Sequence, residues 1–231
     1  VALTNAPWII EAGAVSAHLG GVPVRLLNDL AAVARAPPAL GAGDSEEIRE
    51  GAAVEDAPRL AVNLATGFGA ALAVHGPAGW LAVATEAGHM RFAAVTEAER
   101  ALLEMVETVE DLCSGRGIAS LHARLSGRPG RKDGPTAAEI MAAGPEDPIA
   151  QAVREVVLSA LGRIAGDLVL ATGAWGGLWL CGGVMSGWRP GWRAPFLLHF
   201  SHKGPMTERM RRLPIRRITH PDPAVLGLAM A

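Results

Sequence analysis

The stretch from Pro148 to Gly183 constrains the fold more than any other part of the chain. Ile149, Val153, Val156, Val157, Leu161, Ile164 and Leu168 recur at helical spacing, which predicts the longest helix of the protein. Gly173 marks its end, Leu178-Trp179-Leu180-Cys181 reads as a short apolar strand, and Gly182-Gly183 closes that strand. Part of this stretch invites a different reading, because Leu168 to Trp188 carries no charge and is long enough to span a bilayer. It also holds six glycines, and Asp167 and Arg189 flank it closely. A helix end, a glycine turn, a strand and a second glycine turn account for it better, and no membrane span is expected.

The rest of the chain alternates in the same way. Val22 to Leu27 reads as a strand, and Asn28-Asp29 then opens a helix that Pro37-Pro38 stops. Gly41 to Pro58 is polar and acidic and reads as a loop and a domain boundary. Leu60 to Leu64 and Ala70 to His75 read as strands joined by a glycine-bearing turn, Thr66-Gly67-Phe68-Gly69. Trp80 to Thr85 is a third strand, followed by the loop Glu86-Ala87-Gly88-His89. Two helices are expected over Glu97–Glu107 and Glu110–Leu125, then a Gly/Pro/Arg-rich loop from Ser126 to Thr136. Ile215 to Ile218 reads as a last strand and Ala224 to Ala229 as a helix. Early hairpins with alternating strands and long helices give an α/β protein.

Half of the 231 residues are hydrophobic, and 21 Lys and Arg stand against 23 Asp and Glu. Disorder is thereby excluded, and so is the broad basic footprint of a dedicated nucleic-acid binder. Cys113 and Cys181 make neither a disulfide framework nor a zinc motif. A reduced, cytoplasmic compartment is therefore expected, and with no Met and no basic n-region in Val1-Ala2-Leu3-Thr4 no signal peptide is visible.

Each chemistry-bearing motif has a structural reading beside a functional one. Asn28 and Asp29 suit a helix N-cap, yet a carboxylate at a strand's C-terminal end is also where open α/β sheets bind ligands. There it can take the proton of an alcohol attacking phosphorus. Thr66-Gly67-Phe68-Gly69 suits a hairpin turn, or a phosphate cradle in which glycines let backbone N–H groups approach an anion. It is neither a Walker loop nor a dinucleotide fingerprint. Glu86 and His89 are weak as a metal pair but suit a polyhydroxylated ligand. Glu110 favours a helix N-terminus and could equally accept two hydroxyls. Gly182-Gly183 after a strand would let the chain lie flat against an adenosine.

The order of these motifs is more specific than any one of them. Thr4-Asn5 with Trp8, Asn28-Asp29, Thr66-Gly67-Phe68-Gly69, Glu86-Ala87-Gly88-His89 and Glu110 before Ser114-Gly115-Arg116-Gly117 come first. Gly176-Gly177, Gly182-Gly183, Phe200-Ser201-His202-Lys203-Gly204 and His220-Pro221-Asp222-Pro223-Ala224-Val225-Leu226-Gly227 follow. Over essentially the whole chain this succession resembles the bacterial glucokinases. The Cys-rich zinc segment of the related ROK kinases and repressors is not there.

The resemblance implies an actin/hexokinase-like (ribonuclease H-like) two-domain α/β fold, with mixed sheets flanked by helices. Residues 1–40 would be the remainder of a small domain, joined by 222–231, and residues 41–221 the large domain. ATP, with Mg²⁺, would phosphorylate the 6-hydroxyl of glucose or a related hexose, with Asp29 as general base. Asn28, Glu86, His89 and Glu110 would hold the other hydroxyls, and Asn5 is a secondary candidate. Thr66 and Gly67 would contact the distal phosphates, and Gly182 and Gly183 the adenosine. No protein metal ligands, no nucleic acid and a homodimer are implied. Family members open with a strand–Asp–Gly-Gly–Thr hairpin upstream of the position of Leu3. These 231 residues do not contain it, so little or no turnover is expected of them alone, and the alternative is a catalytically inactive sugar-binding or regulatory protein. Ala87 replaces the family's usual glycine and is expected to be tolerated.

Overall fold

The computed structural model describes residues 7–77, 79–102, 104–129, 133–187 and 189–230. The strands are β1 (Ser45–Arg49), β2 (Arg59–Leu64), β3 (Phe68–Gly76), β4 (Gly79–Ala84), β5 (Leu178–Cys181) and β6 (Ile215–Ile218). They form one mixed sheet in the order β1-β6-β5-β2-β3-β4. The central strands β2, β5 and β6 run parallel, and the β2–β3, β3–β4 and β1–β6 pairs are antiparallel.

Side chains alternate between two buried faces. Leu60, Val62, Leu64, Leu178, Leu180 and Ile215 enter the larger core. Ala61, Ala71, Ala73, Cys181 and Ile218 enter a smaller one on the opposite face. Cover on both faces is why β2 and β5 read as continuous apolar runs.

The first half of the chain supplies the helices α1 (Ala12–His18), α2 (Asp29–Arg35), α3 (Glu97–Arg100), α4 (Val109–Leu112) and α5 (Gly115–Leu125). The second half supplies α6 (Ala137–Ala142), α7 (Pro148–Thr172), α8 (Pro190–Ser201), α9 (Thr207–Arg211) and α10 (Pro223–Ala229). Helix α7 is the predicted long helix. The Asp147 side chain caps it, Pro148 sits in its first turn, and Gly173 ends it at φ 63°. Helices α7 and α8 approach backbone to backbone: a Cβ on Gly162 would lie 2.3 Å from the Phe196 carbonyl oxygen. On the smaller-core face, Ala31, Val33 and Ala34 of α2 pack on the sheet. Helix α10 lies against α2 so closely that a Cβ on Gly227 would come 1.7 Å from the Ala32 carbonyl oxygen.

The structure corrects several sequence expectations. Residues 22–27 carry no β ladder: Val24, Leu26 and Leu27 turn partly inward, but no strand of the sheet pairs with them. The segment 41–58, expected to be a loop, contains β1. That strand lies at the sheet edge and buries Ile48 inside a polar run, a pattern with no apolar alternation to betray it. The helix expected over 97–107 lasts one turn, because Leu102 and Val106 fold into the core. The helix expected over 110–125 is broken at Ser114, whose side chain caps α5 through the Gly117 N–H. From Leu168 to Gly187 the chain is the end of α7, a glycine turn, β5 and a short 3₁₀ turn, and Trp188 lies outside the described residues. Among the described residues no helix is long and apolar enough to cross a membrane.

Candidate active site

The candidate residues gather at one edge of the sheet, where the parallel strands β2, β5 and β6 end. Thr66 and Gly67 form the turn from β2 into β3, closed by an Ala65 N–H donating to the Gly67 carbonyl (3.0 Å). Gly182 leaves β5 at φ 106°, and a Cβ there would meet Asn63 Oδ1 and the Leu64 carbonyl oxygen, both at 2.4 Å. Only glycine fits, since the conformation is left-handed and the neighbouring strand fills the space. Open parallel sheets bind ligands at this edge.

Glu110, in α4, is the centre of one cluster. Its Oε2 accepts the Phe68 N–H (3.0 Å) and its Oε1 accepts from Arg116 Nη2 (2.8 Å). A Cβ on Gly67 would stand 2.7 Å from Oε2, and one on Gly88 would stand 2.6 Å from the Phe68 carbonyl oxygen. Gly88 therefore lets the Glu86–His89 loop lie against the β2–β3 turn, while Ala87 beside it is simply buried. His89 Nε2 and Glu86 Oε2 stand 4.0 Å apart, both largely exposed, so their hydrogen-bonding capacity faces outward.

Asn28 and Asp29 both bond to the start of α2. The Asn28 side chain caps α2, accepting from Leu30 N–H (3.0 Å) and Ala31 N–H (3.1 Å). Asp29 Oδ1 accepts from Leu30 N–H (2.8 Å), and Asp29 has no ion pair among the described residues. Leu30 brings this helix start to the hairpin, since a Cβ on Gly69 would lie 2.7 Å from Leu30 Cδ2.

Asp29 borders a cleft of about 590 Å³ that also exposes Asn63, Cys181, Gly182, Gly183 and Arg217. A second depression of about 480 Å³ is lined by Thr66, Gly115, Arg116 and Gly183 among others. Gly183 belongs to both. The depression also meets the first turn of α5, the end of a helix that favours an anion.

Asp29, Gly182 and Gly183 thus share one cleft and Thr66 joins Gly183 in the next. Glu110 meets Gly67 and, through Gly88, the loop carrying Glu86 and His89. These three side chains line neither recess. Thr4 and Asn5 lie outside the described residues. Phe200 to Gly204 has a structural role: Ser201 Oγ accepts from Arg49 Nη1 (2.8 Å) and Lys203 Nζ pairs with Asp167.

Four residues on this edge escaped the sequence reading. Asn63 could have been noticed as the one polar side chain in the run Leu60 to Leu64. Cys181 follows from its place before Gly182-Gly183. Its sulfur stands 3.5 Å from the Val62 carbonyl oxygen, and burial, with the Asp29 charge adding to it, pushes its thiol up to about 12. It is a protonated hydrogen-bond donor at neutral pH and no nucleophile. Arg217 and Arg116 gave no signal, since each is defined by partners distant in sequence or set by a turn. Arg217 donates to Glu46 on β1 and to the Met185 and Ser186 carbonyls, which fixes the turn that follows Gly182-Gly183. Among the described residues no three His, Cys, Asp or Glu side chains gather as a metal site.

Comparison with known proteins places the chain among sugar kinases. The glucokinase family model matches residues 1–231. A glucokinase of Cupriavidus pinatubonensis is 36% identical over 244 residues, spanning 100% of this chain and 71% of that protein. The crystal structure of a glucokinase from an Antarctic psychrotroph is 30% identical, with a TM-score of 0.83 over 98% of this chain and 73% of that one. A ROK family glucokinase from Streptomyces griseus, solved with glucose and AMPPNP, shares the fold at 18% identity, with a TM-score of 0.64 over 95% of this chain and 70% of that one. With a mixed, helix-flanked sheet of the sugar-kinase type and a match along its whole length, the chain belongs to the glucokinase family.

Proposed function

We propose that the protein transfers the γ-phosphoryl group of ATP to the 6-hydroxyl of glucose, with Asp29 as general base. The observation that carries this reading is the shared cleft of Asp29, Gly182 and Gly183 at the C-terminal strand edge, in a chain of the glucokinase family. Phosphoryl transfer asks for positioning and charge rather than covalent help from the protein. In the step, the 6-hydroxyl oxygen bonds to the γ-phosphorus and the bond to the β–γ bridging oxygen breaks. The hydroxyl proton passes to Asp29, and ADP leaves. One Asp29 oxygen accepts Leu30 N–H, which orients the carboxylate and leaves the other oxygen for that proton.

Asn28 uses its carbonyl oxygen on the helix, so its NH₂ is the group that would donate to a sugar hydroxyl. Glu110 would accept a hydroxyl at Oε1, because Oε2 already holds Phe68 N–H. Glu86 and His89, close together on an exposed loop, supply an acceptor and a donor for the far side of the ring. Thr66 and Gly67 would face the distal phosphates, and Gly182 and Gly183 the adenosine. Mg²⁺ on the triphosphate would neutralise its charge, held by the phosphate oxygens and water.

The reading includes a cytoplasmic homodimer. It also includes a division into residues 1–40 with 222–231 and residues 41–221, supported by the packing of α10 on α2. Calorimetric titration tests the sugar site. Saturable binding of glucose in preference to galactose and mannose, lost in Asp29→Ala, is the expected result. A folded chain that ignores glucose would remove the assignment.

A further inference from the structure

Arg116 stands between the two halves of this site. It sits in the first turn of α5, ion-paired to Glu110 Oε1 at 2.8 Å, and it lines the depression shared by Thr66, Gly115 and Gly183. Every other residue around that depression is uncharged. We propose that Arg116 binds the nucleotide phosphates and, through its pair with Glu110, couples nucleotide binding to sugar binding. The inference rests on the assignment above of Glu110 to the hexose and of Thr66 and Gly183 to the nucleotide.

Paired at 2.8 Å, the guanidinium and the carboxylate satisfy each other. Glu110 has Oε2 committed to Phe68 N–H, so the oxygen that Arg116 holds is the one a hexose hydroxyl needs. The guanidinium is 76% exposed and the carboxylate 23%, and a solvated pair of this kind is easily parted. A phosphate beside Thr66 offers Arg116 two oxygens that its planar fork of donors can hold together, with the α5 N-terminus adding to the attraction. Each ligand therefore claims one member of the pair. Whichever binds first breaks the pair, and the second no longer has to. The coupling is positive, and by linkage it is the same seen from either ligand.

The test uses the 231-residue chain with glucose and the non-hydrolysable analogue AMP-PNP in magnesium buffer, titrated separately and together. Saturating glucose should tighten AMP-PNP binding about fivefold or more, at the lower end of typical coupling between sites. In Arg116→Ala, AMP-PNP should bind about tenfold more weakly, the loss of one charge-assisted contact, and should ignore glucose. Glucose alone should bind that variant more tightly than it binds the parent, because its competitor for Glu110 is gone. Arg116→Lys keeps the charge and should recover part of the coupling. Its exposure means that neither change should move the melting temperature, so a purely structural role would leave the coupling intact. The same coupling in Arg116→Ala as in the parent overturns the inference while leaving the kinase reading standing. A parent chain that binds neither ligand overturns both.

Discussion

Asn28 and Asp29 are neighbours at the start of one helix, yet substitution should separate their roles. Asn28→Ala removes the acceptor of two backbone N–H groups and should cost about 1 kcal/mol of stability, measured by denaturant unfolding. Asp29→Ala leaves that cap in place. It should melt like the parent and lower kcat by about 10²–10⁴, the usual contribution of a positioned base. Glu46 shows what pH does to a structural carboxylate. The hydrogen bond from Arg217, followed by that from Arg193, holds its carboxyl below the ordinary value. A group depressed in the folded state adds stability above its ordinary pKa and loses it as pH falls through the lower one. As pH falls below the ordinary carboxylate value, the parent should therefore lose more melting temperature than Glu46→Gln, which cannot titrate. At this scale the sequence named the residues but not their partners. Nothing in Ser114-Gly115-Arg116-Gly117 says that Arg116 reaches Glu110, because a break in the helix, unseen in the sequence, sets that distance.

Among the elements, legibility followed burial. Strands β2 and β5 and helix α7 are covered by apolar neighbours, so their periodicity is written in Leu, Val and Ile. Strand β1 was unreadable because it lies at the edge. It is held by Arg49, whose guanidinium donates to the Leu213 and Met210 carbonyls and to Ser201. Helix α3 stops after one turn where the core claims Leu102. Close helix contacts were equally silent, since a glycine in a helix does not announce what lies against it. Gly227→Ala would place a methyl 1.7 Å from the Ala32 carbonyl oxygen, so α10 must shift away from α2. Overpacking of this kind should cost about 1–3 kcal/mol, read as a lower melting temperature. Because α2 carries Asp29 and α10 follows the His220–Asp222 wall of the cleft, turnover should fall as well. Leu228→Ala, on the exposed face of α10, should change neither.

For the molecule as a whole, the order of the motifs carried more than their individual chemistry. Asp29, Thr66, Gly67, Glu110, Gly182 and Gly183 come from four separate stretches, and the parallel centre of the sheet brings them to one edge. Residue types alone left each motif with a structural alternative, and Asn28 fills its structural one through Oδ1 while its NH₂ stays available to a ligand. What decides between them is convergence in space, which the sequence expresses only through resemblance. The most direct test is to supply glucose and magnesium ATP to the purified protein carrying the family's strand–Asp–Gly-Gly–Thr hairpin upstream of Leu3, and to follow the phosphorus resonances. The account predicts a glucose 6-phosphate signal growing with that of ADP, absent from Asp29→Ala. A folded chain that binds glucose and yields no sugar phosphate would contradict it, leaving a binding or regulatory protein on the kinase scaffold.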